Sequence, residues 1–160
     1  MIAPATTIDI PVLQGIVKTT WPATYGKILS NEQLNYMLDK IYATDALVEQ
    51  MSQGHQFYLL KEGVENIGFI DIENTQKAKS KLHKLYLLPD HQGKNYGRLL
   101  LDFAIATAKK NGSKILQLNV NRYNSALDFY KKMGFCIVEE VDIPIGHGYF
   151  MNDYVMEKAL

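Results

Sequence analysis

One cysteine and one tryptophan stand among 160 residues, with five prolines and no excess of either charge, and each scarcity removes a class of protein. The lone Cys136 cannot close an internal disulfide, so the chain is no stapled extracellular module. It follows Phe135 in an apolar, strand-like run and is read as a core residue. No stretch approaches the run of about 18 apolar residues that a membrane span requires. The opening MIAPATTIDIPVLQG lacks the basic segment and apolar stretch of a signal peptide. The expectation is a cytoplasmic protein without membrane contact. Low-complexity tracts and repeats are missing too.

What is present is 47% hydrophobic and 21% charged residues, enough for one soluble domain over residues 1–160 with a sizeable core. The net charge is zero but unevenly spread. Met1 to Thr75 holds four Lys and nine Asp or Glu; Gln76 to Lys132 holds twelve Lys or Arg and three acids; Met133 to Leu160 holds one Lys and five acids. Solvated faces account for such blocks, and so does a polyanionic ligand on the basic block with a cationic one near its flanks.

Periodicity gives the element order. TTID reads as a short strand, and Asp9 is placed to cap a helix running to about Thr20. SNEQLNYMLDKIY opens with Ser30 and Gln33 in a capping pattern and sets Leu34, Leu38 and Ile41 on one face. TDALVEQM is a third helix. HQFYLLKE, NIGFIDIE and KLHKLYLL alternate as strands, the first two joined through EGVEN. A helix from about Leu99 stops at KKNGS, KILQLNV is the next strand, NSALDFYKKMG another helix, and FCIVEEVDI and YFMNDYVMEK close the chain as strands. This is a mixed α/β sheet.

HQGKNYGRLLL, residues 91–101, turns from strand into helix with two glycines and two cations. The first turn of a helix leaves N–H groups unpaired and carries positive dipole charge, so the turn suits an anion. It lies too deep in the chain for a dinucleotide fingerprint and lacks the Gly-Lys-Ser or Gly-Lys-Thr of a Walker loop. A phosphate-bearing ligand other than a nucleoside triphosphate remains.

LYLLPDHQGKNYGRLLLDFAIATA resembles the coenzyme-A-binding motif of the GNAT superfamily of N-acetyltransferases, and LQLNVNRYNSALDFYKKMGF resembles the strand and helix that follow it there. The resemblance spans Leu85 to Phe135. It implies an α+β fold with a mixed, mostly antiparallel sheet of about seven strands flanked by helices, and acetyl transfer from acetyl-coenzyme A to a primary amine by direct attack in a ternary complex. Gln92, Gly93, Lys94, Tyr96, Gly97 and Arg98 match the pyrophosphate loop. Asn95 stands where the family usually has Gly, and Asn best tolerates the positive φ such a position needs. Leu85 and Leu87 match strand positions whose backbone pairs with the pantetheine arm, and Leu87 also the oxyanion donor. Asn124 matches a cofactor contact and is equally an N-cap.

Tyr130 occupies the general-acid position; a phenol stays protonated at neutral pH, and the alternative is a core aromatic beside Phe129. Lys81 stands where many relatives place a Glu base and, while cationic, cannot do that work. His83, two residues on, shares its face and has a suitable ordinary pKa, with water anchored by Glu73 or Asp71 as the rival. His55, His91 and His147 are scattered without metal-ligand spacing, so no metal site is expected. Trp21, Tyr25, Tyr36, Tyr149, Asn152 and Asp153 are candidates for the acceptor wall, where aromatics and acids suit a small amine, a polyamine or a peptide amine. A homodimer stays open, and the basic block carries no nucleic-acid-binding module. The competing reading is a non-catalytic acyl-coenzyme-A sensor that kept the loop and lost its base.

Overall fold

A computed structural model describes all 160 residues. Seven strands form one sheet in the order β1-β2-β3-β4-β5-β7-β6, with β1 Ile2–Pro4, β2 Gln56–Glu62, β3 Glu65–Gln76, β4 Lys79–Leu87, β5 Ile115–Asn121, β6 Cys136–Gly146 and β7 Tyr149–Ala159. Only β4 and β5 run parallel; the other neighbours are antiparallel. The helices are α1 Ile10–Tyr25, α2 Asn31–Tyr42, α3 Thr44–Ser52, α4 Tyr96–Lys110 and α5 Ala126–Lys132. None is long and apolar enough to cross a membrane.

Both faces of the sheet are covered, each by its own core. Leu100, Leu101 and Ala104 of α4 and Tyr130 of α5 pack on Ile70, Ile72, Leu82 and Leu118. On the other face Leu13 and Val17 of α1, Leu34 and Met37 of α2 and Leu47 of α3 close over Phe57, Leu59 and Phe69. Fully burying an aliphatic or aromatic side chain stabilises by roughly 1.5–3 kcal/mol, so these two layers fix the sheet between the helices. Alternation along β3 follows directly: Ile70 and Ile72 face α4, Phe69 and Asp71 face α1.

Three expectations are corrected. TTID is not a strand: Thr7–Asp9 is a 3-10 turn in which the Asp9 carboxylate accepts the Thr6 N–H at 2.8 Å, and the strand lies earlier, at Ile2–Pro4. The first helix continues through Pro22 to Tyr25, because Thr20 and Trp21 are buried there and their packing outweighs the missing N–H. Cys136 is exposed, not core, since β6 is the outermost strand and Cys136 begins it. The Ser30 cap forms as expected, with its hydroxyl accepting the Gln33 N–H at 3.1 Å.

Two irregularities shape the centre of the sheet. Pairing of β4 with β5 extends only from Lys79 and Ile115 to Leu82 and Leu118, after which the strands part. On its other side β4 carries a bulge: Asp71 faces Lys84 and Ile72 faces Leu82, which leaves His83 without an opposite number. The extra residue puts His83 beside Lys84 on the α1 side of the sheet while Leu82, Leu85 and Leu87 pack toward α4.

Candidate active site

The parting of β4 from β5 opens a cleft of about 560 Å³, walled by Leu82 to Leu87 on one side and by Leu118 to Val120, Asn124 and Tyr130 on the other. Because Leu88 donates its N–H to Ile67 on β3, alternation turns the N–H of Leu87 to the opposite edge, toward the gap. Leu85 shares that parity. Beyond Leu82 this edge has no strand beside it, so it can receive an extended ligand as a strand would.

At the mouth of the cleft lies the glycine turn. Gly93 has φ +76° and Asn95 φ +65°, so the Asn standing in place of Gly does adopt the left-handed conformation. The first helical bond of α4 runs from the Leu99 N–H to the Asn95 carbonyl, and the N–H groups of Tyr96, Gly97 and Arg98 precede it. A Cβ at Gly93 would meet nothing within 4 Å, and one at Gly97 only Phe129 at 3.8 Å, so the turn is an open cradle. Gln92 braces it by donating to the Leu87 carbonyl at 3.1 Å. Gln92, Gly93, Asn95, Gly97 and Arg98 all line the cleft; Lys94 and Tyr96 do not, and the Tyr96 hydroxyl is turned aside to Glu62.

Asn124 lines the cleft, and its Oδ1 accepts the Ala126 N–H at 2.9 Å at the start of α5. Tyr130 is buried on α5, yet its hydroxyl has no protein partner and borders the cleft. Burial, with Tyr25 nearby, pushes this phenol above its ordinary pKa. It stays protonated.

His83 opens on the same space. Its Nε2 lies 2.7 Å from Glu73, which joins the two rival bases into one pair. Burial lowers the ring to about 4 against the opposing pull of Asp71 and Glu73, so it is neutral at pH 7, further from 6.5 than its sequence suggested. Behind it Asp71, fully buried, accepts from Lys84 at 2.6 Å and pairs with His55 at 2.7 Å. Burial alone would raise Asp71; hydrogen bonds from His55 and Lys84 outweigh it and keep the carboxyl below its usual range. The fold therefore stacks His55 on His83, ring centroids 4.3 Å apart, although the chain separates them.

A second cavity of about 300 Å³ adjoins the first and shares Tyr25, His83, Lys84, Tyr86 and Asn119 with it. Trp21, Tyr25 and Asp153 line it, as expected from sequence, and so does Lys81. Tyr149 does not; it packs on Tyr36, whose hydroxyl donates to the Ile145 carbonyl. Asp153 is 4% exposed, and burial raises its pKa against the pull of Asn119, Lys81 and Arg122. Tyr86 and Tyr42 were missed from sequence. Tyr86 bonds the Tyr25 hydroxyl at 3.3 Å, and only the alternation of β4 past its bulge marks it as facing this cavity.

A splayed pair of parallel strands with a glycine cradle at its mouth and a neutral histidine and a protonated phenol inside belongs to an enzyme that transfers an acyl group from a phosphate-bearing carrier. Residues 27–144 match the family described as acetyltransferase (GNAT) domain. Spermidine N(1)-acetyltransferase of Thermoplasma acidophilum is 31% identical over 156 residues, covering 94% of this chain and 91% of that protein. The crystal structure of PaiA N-acetyltransferase from the same organism, in complex with coenzyme A, superposes with a TM-score of 0.86 at 29% identity, covering 100% and 98% of the two chains. The [ribosomal protein bS18]-alanine N-acetyltransferase of Haemophilus influenzae is 38% identical over 94 residues, 58% of this chain and 62% of that one. The chain belongs to the GNAT acetyltransferase family and is an acetyl-coenzyme-A-dependent N-acetyltransferase. Nothing favours the non-catalytic sensor.

Proposed function

We propose that the whole chain acts as one catalytic domain that acetylates a primary amine of a polyamine, with the amine attacking directly in a ternary complex. The observation that carries this is the junction of the two cavities at Tyr25, His83 and Tyr86. An acceptor in one cavity reaches a thioester in the other there. The aromatic wall and the buried Asp153 suit a chain of ammonium groups, and spermidine is the acceptor named for a relative of similar length.

Bound acetyl-coenzyme A supplies the thioester to be opened. The N–H groups of Tyr96, Gly97 and Arg98 and the dipole of α4 would hold its phosphates, and the free edge at Leu85 would align its arm. The Leu87 N–H stabilises negative charge developing on the acyl oxygen. His83 takes the proton of the attacking amine, with Glu73 holding the resulting imidazolium. A neutral ring is the form this needs, and the carboxylate beside it orients the ring. Tyr130 returns a proton to the departing sulfur. Since acetyl-coenzyme A is a cytoplasmic metabolite, the reaction belongs in that compartment.

Free thiol released from acetyl-coenzyme A with spermidine, spermine and simple monoamines tests the assignment. Spermidine or spermine should turn over with the highest kcat/KM; a preference for amines lacking a second ammonium would overturn the polyamine reading. Asp153→Asn, which keeps the shape and removes the charge, should raise KM for spermidine about tenfold, as losing one charge-assisted contact does, with a smaller change for a monoamine. His83→Gln should lower kcat about 10²-fold with KM for acetyl-coenzyme A unchanged. An unaltered kcat would move the proton-accepting role to Glu73 or to the amine itself.

A further inference from the structure

Three side chains from three neighbouring segments converge beside the acceptor cavity: His55 just before β2, Glu73 on β3 and His83 at the β4 bulge. Their ligand atoms lie within 4.8 Å of one another, with Glu73 Oε2 at 2.7 Å from His83 Nε2 and 3.5 Å from His55 Nε2. His55 Nδ1 is 2.7 Å from Oδ2 of buried Asp71. An ionised carboxylate only accepts, so this contact places a proton on Nδ1, and a neutral ring then carries its lone pair on Nε2. That lone pair faces the anionic oxygen of Glu73. Two acceptors so close, where both side chains are largely shielded from water, are reconciled by a proton or by a metal cation between them.

We propose that His55, Glu73 and His83 bind a divalent transition-metal ion of the zinc class, and that the bound ion switches acetyl transfer off. Two imidazole nitrogens and one carboxylate oxygen are a donor set that zinc accepts, with a fourth position left for water. The carboxylate behind His55 is the usual orienting partner of a metal-bound histidine, and Lys84, 2.6 Å from the same Asp71 oxygen, keeps that carboxylate charged. Ions have two approaches: a surface cleft at Pro4, Met51 and His55, and the acceptor cavity at His83. The proposal departs from the sequence expectation of no metal site. The spacing of the two histidines hides it, and the pairing of β2, β3 and β4 creates it.

The switching half rests on the reading of His83 as proton acceptor. Metal on Nε2 replaces the proton shared with Glu73, and a neutral ring must then keep its proton on Nδ1. No lone pair remains for the amine.

The test uses the full chain, stripped with a chelator. Titration with Co²⁺ should develop the visible absorption of a low-coordinate site, and calorimetry should give one Zn²⁺ per chain. Zn²⁺ should also suppress acetyl transfer in proportion to occupancy. His55→Gln keeps a hydrogen-bond donor for Asp71 but removes the ligand; it should lose the Co²⁺ spectrum, retain coenzyme A binding and turn over without Zn²⁺ sensitivity. Glu73→Gln should lose the spectrum as well. Absence of a Co²⁺ spectrum and of Zn²⁺ heat in the wild type, or an unchanged spectrum in both variants, overturns the site and leaves a plain protonated network. Stoichiometric binding with undiminished turnover overturns the switch. Neither metal readout depends on the role of His83 in catalysis, which His83→Gln tests without metal.

Discussion

Tyr130→Phe should lower kcat by about 10²- to 10⁴-fold, the usual loss when a general acid is removed, while coenzyme A binding stays within about twofold of the wild type. The substitution keeps the ring that packs on Phe129 and Phe135 and deletes a hydroxyl that bonds no other protein group, so no buried partner is orphaned. Folding should be preserved for the same reason. The proton is required only once the thioester opens, so the effect falls on kcat and spares ground-state affinity. Rates measured as thiol release, beside calorimetry with coenzyme A, separate the two quantities. Equal turnover in variant and wild type would take Tyr130 out of the chemistry. Burial raises its pKa, so the phenol carries its proton at neutral pH.

Gly97→Asp should abolish coenzyme A binding while leaving the fold intact. The new Cβ meets only Phe129, at 3.8 Å, an ordinary contact, and Gly97 is in regular helical backbone rather than at positive φ. A carboxylate in the first turn of α4 even favours the helix by roughly 0.3–1 kcal/mol, since it answers the same dipole that attracts phosphate. The protein should therefore melt no lower than the wild type but lose the rise in melting temperature that coenzyme A confers on it, because a ligand stabilises only the state it binds. A thermal shift equal to that of the wild type would remove the α4 terminus from cofactor binding. Gly93→Ala is a less informative choice, because φ +76° would add strain of its own.

The parts of this molecule legible in sequence are those written in local chemistry. Gly93, Asn95 and Gly97 announce a turn with free N–H groups, and β2 and β3 announce themselves by alternation around Gly63, whose φ is +60°. Tyr130 was reached through the resemblance of its helix to the family's, not through local chemistry. The rest depends on register. The β4 bulge has no signature in KLHKLYLL, yet it decides that His83 and Lys84 share a face and that His83 meets His55. Without it, His83 would turn toward α4 and the histidine pair would not exist. Cys136 was misread because an apolar run looks alike in a central strand and an outer one; strand order, a long-range property, distinguishes them. Tyr149 was put on the acceptor wall because the closing hairpin flanks the cofactor in the family; here Asp153 of that hairpin lines the cavity while Tyr149 packs on Tyr36.

The short run of pairing between β4 and β5 has a mechanical meaning as well. Four residue pairs, Lys79 with Ile115 through Leu82 with Leu118, and the Ala78 carbonyl that accepts from Lys114 and Ile115 just below them, stitch the β1–β4 half of the sheet to the β5–β7 half. Above that stitch the sheet is a zipper left half open. A ligand seated in the gap as an added strand would span both halves, so hydrogen exchange along the seam from Leu82 to Leu87 should slow when coenzyme A is added.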